Sequence, residues 1–157
     1  MSQLVDKIKV VQGLYSGSPA SEQEVAVAES KLQLIFPAEY KDYLKEYGVI
    51  SFYGTEWNGL KGDTWTDVVA TTLEARSLYE NFPKEKFILE DLHFDDMLVL
   101  ADSTGKVFLW HNGLEKEIHS SRTGSFSSCS SFSSTKSSSV VIVPECSFVI
   151  RNDILER

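Results

Sequence analysis

The chain has 157 residues, 42% of them hydrophobic and 24% charged, which suits one domain with a core of its own and excludes a disordered or fibrous composition. A formal charge of −8 argues against nucleic acid as a direct partner, because phosphate binding needs clustered Lys and Arg. It is compatible with a basic protein partner.

Leu4, Ile8 and Val11 recur at helical spacing and suggest a short first helix stopped at Gly13. The loop Ser16-Gly17-Ser18-Pro19 follows. Ser21 with Glu24 reads as a capping box, in which two side chains satisfy each other's orphan backbone N–H groups. Val25, Ala28 and Leu32 then define one apolar face. Phe36-Pro37 breaks that helix, and Pro37 also suits the first turn of the next. There Tyr40, Tyr43, Leu44 and Tyr47 share a face, and Gly48 stands where a left-handed C-cap is wanted.

Ile50 to Gly54 reads as a short strand and Asn58-Gly59 as a turn, inside a glycine- and aromatic-rich run from Tyr53 to Trp65. Thr66-Asp67 is an N-cap for a third main helix carrying Val69, Leu73 and Arg76, ending near Asn81-Phe82-Pro83. Phe87 to Leu89, Met97 to Ala101 and Val107 to Trp110 read as strands. Ser103-Thr104-Gly105 makes one turn and His111-Asn112-Gly113 another, after which Glu115 to Ile118 can pair back. Helices early and meandering strands late predict a single-domain α+β fold, with N-terminal helices packed around a mainly antiparallel, twisted sheet.

From Ser120 to Ser139 twelve of twenty residues are serine, without periodicity. Either this is a flexible linker to the apolar runs Val140–Val143 and Phe148–Ile150, or the reading frame changes after about His119. Those apolar runs are expected either to dock on the sheet edge or to promote aggregation. The division expected is a domain over residues 1–119 and a divergent tail over 120–157. Cys129 and Cys146 make neither a disulfide framework nor a metal spacing and are read as free thiols. The first residues carry charge, and no stretch reaches the roughly 18 apolar residues of a membrane span, so a cytoplasmic protein away from the membrane is expected.

Phe36-Pro37, Tyr40-Lys41, Tyr43-Leu44 and Tyr47-Gly48 together resemble the Leu-Pro, Tyr, Leu, Asn-Gly signature of the SUKH superfamily, the Smi/Knr-like proteins. Val69, Thr71 and Arg76 are similar to that family's next helix, and Phe87–Leu89, Leu98–Asp102 and Gly105–Trp110 to its central strands. The resemblance runs from roughly Glu22 to Ile118. It implies an α+β domain that in bacteria most often acts as an immunity protein neutralising a secreted, nuclease-type toxin. Family members typically end in an amphipathic helix packed on the sheet, and the serine-rich tail departs from that pattern.

No catalytic constellation emerges. Glu90-Asp91-Leu92-His93-Phe94-Asp95-Asp96 is the densest charged cluster, but it lacks the glycine and terminal glutamate of a calcium loop and reads as a solvated loop. His93, His111 and His119 share no metal spacing, and there is no nucleophile elbow or phosphate loop. No enzyme, cofactor or metal is therefore expected. Trp110 is read as core, whereas Trp57 and Trp65 stand beside Glu56 and Asp63 near glycine-rich loops. The partner-binding residues expected are Tyr53, Glu56, Trp57, Asp63, Trp65, Asp91, Asp95 and Asp96. The partner expected is a cognate toxin with a basic nuclease domain. The alternatives are an intracellular regulatory scaffold, or a small hydrolase built on the Glu90–Asp96 cluster.

Overall fold

Residues 3–118 are described by the computed structural model. The expectations for the serine-rich segment, the tail and both cysteines lie outside the described residues. Four α-helices and seven strands occupy the described chain. The first helix, α1 (Gln3–Lys9), buries Leu4, Val5 and Ile8. It is tied to the third helix by the Tyr47 hydroxyl, which donates to the Val5 carbonyl at 3.3 Å. The second, α2 (Glu22–Leu32), opens on the capping box and buries Val25, Ala28 and Leu32. Ser21 N–H donates to Glu24 Oε2 at 2.8 Å, and Glu24 N–H donates to Ser21 Oγ at 3.2 Å.

The third helix, α3 (Ala38–Tyr47), starts after Pro37 and buries the aromatic face read from its sequence. Tyr40, Tyr43 and Leu44 are fully enclosed. The Tyr40 ring joins Phe36 and Phe87 in edge and tilted contacts, with Tyr40 4.7 Å and Phe36 4.9 Å from the Phe87 centroid. Aromatic pairs at this spacing add about 0.5–1.5 kcal/mol each beyond their buried area.

Two antiparallel sheets follow, where one was expected. The smaller has order β1-β2-β3, from β1 (Tyr15–Ser16), β2 (Ile50–Phe52) and β3 (Thr55–Trp57). Its β2–β3 turn is Tyr53-Gly54, both residues with positive φ, as a two-residue turn with right-handed strand twist requires. Asn58-Gly59 is therefore not the hairpin turn that the sequence suggests. The larger sheet has order β4-β5-β6-β7, from β4 (Lys86–Asp91), β5 (Leu98–Asp102), β6 (Val107–His111) and β7 (Leu114–Glu117).

Both faces of the larger sheet are covered. Phe87, Leu89, Val99, Ala101 and Val107 join the main core with the helices. Ile88, Leu98, Leu100 and Trp110 form a second cluster with Ala75 and Phe82, against which Tyr79 packs. Trp110 is core, as expected.

The fourth helix, α4 (Val68–Leu78), is capped by Asp67, whose carboxylate accepts from Ala70 N–H at 2.8 Å. It buries Val68, Thr72 and Ala75, not the Val69, Leu73, Arg76 face read from the sequence, and Leu73 is exposed. Small residues win here because they let the helix approach the sheet closely enough for the Thr72 hydroxyl to accept from Ile88 N–H at 3.0 Å. The helix also ends earlier than expected, at Leu78.

One crossing fixes the helical layer to the rest. Gly48 has φ +70°, and a Cβ there would run into the Ser18 carbonyl oxygen. A Cβ on Gly59 would run into the Gly48 carbonyl oxygen, which accepts from Leu60 N–H at 3.0 Å. Backbone meets backbone at this point, so only glycine fits on either side.

Candidate functional site

The two sheets meet at Asn58, which is buried. Its N–H donates to the Leu89 carbonyl at 2.8 Å, and its Nδ2 donates to Thr71 Oγ1 at 3.0 Å and to the Ile88 carbonyl at 3.2 Å. Its own carbonyl accepts from the Tyr40 hydroxyl at 2.7 Å. The β4–β5 register slips between Ile88 and Glu90, a bulge at Leu89. Such bulges bend a strand and redirect its backbone groups. Here the edge of β4 is occupied by Asn58 and Thr72, which protects it from pairing with another chain.

Beside this junction lies a cleft of about 460 Å³ between the C-terminal half of α4 and the β4–β5 loop. Its floor is Asn58, Ala75, Ile88 and Leu98. Its α4 side carries Glu74, Leu78 and Tyr79, and its loop side carries Asp91, His93, Phe94, Asp95 and Asp96. Leu78 is 67% exposed and Phe94 55% exposed, so the rim presents apolar surface between carboxylates.

The loop is held by its own short-range bonds. His93 N–H donates to Asp91 Oδ1 at 2.8 Å, Met97 N–H to the Phe94 carbonyl at 3.0 Å, and Leu92 N–H to the Met97 carbonyl at 3.2 Å. His111 Nε2, at the end of β6, stands 3.5 Å from Asp95 Oδ2. His93, Asp95 and Asp96 all have φ between 51° and 52°, a region that costs non-glycine residues energy and that Asp tolerates better than most. Phe94 is thereby carried on the outside of a tightly folded loop.

The structure sorts the expected binding residues into two groups. Asp91, Asp95 and Asp96 line the cleft together. Tyr53, Glu56, Asp63 and Trp65 do not line it. Tyr53 is exposed at the β2–β3 turn, with its ring over Gly13. Asp63 and Trp65 are exposed around the 3-10 turn Thr64–Thr66, Trp65 by 61%. Trp57 is a correction: it is 2% exposed, with its ring edge-on to Tyr43 at 5.9 Å, and is not available to a partner. Alternation along β3 puts it inward, and the half-buried Glu56 takes the other face.

Glu90 is a second correction. It is 1% exposed and belongs to β4, so the solvated loop begins only after Asp91. Glu74, Leu78 and Tyr79 were not picked out by the sequence reading. Their signal is the spacing Thr71, Glu74, Ala75, Leu78 on α4, which puts a carboxylate and an exposed leucine on one helical face.

Chemically, the cleft offers carboxylates and apolar surface. Among the described residues no group of three or more His, Cys, Asp or Glu side chains could hold a metal ion. Likewise, no described helix is long and apolar enough to cross a membrane.

The family model described as SMI1-KNR4 cell-wall matches residues 22–132, more than half of the chain. The matched span begins at the first residue of α2 and includes every element from there to β7. No curated protein matches the chain.

Proposed function

The chain belongs to the SUKH superfamily of Smi/Knr-like proteins, and on that footing we propose that it is an immunity protein. It binds a cognate secreted toxin in the cytoplasm and neutralises it without chemistry of its own. The toxin is a nuclease whose basic, substrate-binding surface is covered by an acidic face of this protein. The observation that carries the reading is the cleft beside α4, where four carboxylates frame exposed Leu78 and Phe94. Inhibition by occlusion needs shape and charge complementarity rather than activated groups. An acidic surface would also speed encounter with a basic partner.

The test is co-expression with the product of the neighbouring gene. Cells making that product alone should die, and cells making both should grow. A harmless neighbour, or one that remains toxic beside this protein, would remove the basis of the reading. A second reading, a regulatory scaffold, is favoured by the reference to the cell wall in the family description. A scaffold would capture several unrelated cellular proteins and have no toxic neighbour.

A further inference from the structure

Four carboxylates are gathered at the cleft without a lysine or arginine beside them among the described residues. Away from it, several carboxylates stand beside lysines, among them Glu29 beside Lys41 at 2.9 Å, Glu24 beside Lys61 at 3.5 Å and Glu115 beside Lys86 at 2.6 Å. Glu74, Asp91, Asp95 and Asp96 line the cleft, and among the described residues none that lines it is Lys or Arg. Among the described residues, the ion-pair neighbours of these four are two histidines, His93 at Asp91 and His111 at Asp95. Arg76, on the same helix, is engaged elsewhere: Nη1 donates to the Leu32 carbonyl at 2.9 Å and Nη2 to the Lys84 carbonyl at 2.6 Å.

Among the described residues, the cleft thus combines an apolar groove with negative charge that has no neighbouring Lys or Arg. Lacking a three-ligand metal set, it suits an organic cation on a carbon stem. We propose that this groove is the docking site for the partner, and that it receives an arginine side chain from a basic segment of that partner. This rests on the binding function proposed above and names the face and the group. A guanidinium offers a planar fork to carboxylates and a flat face to an aromatic ring, while its stem lies along apolar surface. Asp95 and Asp96 supply the acceptors, Phe94 the ring and Leu78 the apolar wall. Lysine carries the charge without the plane and fits less well.

The experiment uses the full chain labelled with nitrogen-15. It is titrated at low salt with a seven-residue peptide alternating glycine and arginine, then with the lysine and glutamate versions. Amide shifts should centre on Glu74–Tyr79 and Asp91–Met97, the arginine peptide should bind more tightly than the lysine peptide, and the glutamate peptide should not bind. The double variant Asp95→Asn, Asp96→Asn should bind the arginine peptide about fivefold more weakly or worse, from two partly screened charge pairs. Phe94→Ala should narrow the gap between arginine and lysine. All three positions are exposed, so the fold should persist, and the amide spectrum checks it. The control pair Glu56→Gln, Asp63→Asn should bind as the wild type does.

Shifts centred elsewhere, or equal weakening by the control pair, would overturn the proposal. Co-expression separates this from the function itself. A double variant that protects cells as well as the wild type sinks the docking site and leaves neutralisation standing. A wild type that fails to protect sinks neutralisation, and the peptide map still decides the cleft.

Discussion

At the scale of single residues, Asn58 and the two tyrosines beneath it show how buried polar groups hold this fold in register. Tyr40 donates to the Asn58 carbonyl at 2.7 Å and Tyr43 to the Trp57 carbonyl at 3.2 Å. Burial raises the ionisation of both hydroxyls far above the usual tyrosine value, so both stay neutral donors. Their share of the stability is fully present below pH 10 and is lost only as pH rises toward the folded-state values. Tyr40→Phe keeps the ring contacts with Phe36 and Phe87 and removes one donor. It should lower unfolding stability by about 1–3 kcal/mol, the usual effect of leaving a buried carbonyl without its donor. Urea unfolding monitored by tryptophan fluorescence measures it. An unchanged midpoint would mean that the Tyr43 hydroxyl, 3.5 Å from the same carbonyl, takes over the bond completely.

At the scale of elements, how far the chain could be read depended on whether a signal was local. The capping box of α2 and the aromatic face of α3 are set by neighbours within one or two turns, and both are found as read. The strands β4 to β6 were legible as short apolar runs bounded by turn residues, a local signal too. The inward face of α4 was misread because Thr72 is buried through a bond to Ile88, sixteen positions away. Asn58 was misread as a turn because its partners lie on α3, α4 and β4. Half of the cleft was visible as an acidic run, and the α4 half was hidden among ordinary helix-surface residues.

The capping box also carries a pH signature. The backbone N–H and hydroxyl of Ser21 hold the Glu24 carboxyl below its ordinary value of 4.5. A carboxylate with a depressed folded-state value stabilises above its unfolded value, and that contribution fades as pH falls through the folded one. Glu24→Ala should therefore be less stable than the wild type at neutral pH, and the gap should shrink as pH falls below 4.5 and through the depressed folded-state value. Denaturation midpoints of the two proteins at neutral and acid pH decide this. A gap of constant size would place the effect in helix propensity instead of the cap.

At the scale of the whole molecule, Asn58 ties the two sheets to each other and to α3 and α4, and the Gly48–Gly59 crossing packs the end of α3 on the segment that follows β3. The candidate surface stands beside Asn58, where α4 meets a loop closed by its own backbone bonds. Rigid support favours recognition, because little ordering remains to be done on binding. A neutraliser that works by occlusion is consumed one molecule per toxin, whereas an enzyme that destroys its target, or a scaffold, is not. The most direct test takes the purified product of the neighbouring gene, which the account holds to be a nuclease toxin, and titrates its activity with this protein. The account predicts loss of activity in proportion to added protein, complete at about one equivalent, with intact toxin recovered from the complex. Full inactivation by a small fraction of an equivalent, or activity unchanged in excess, would contradict it.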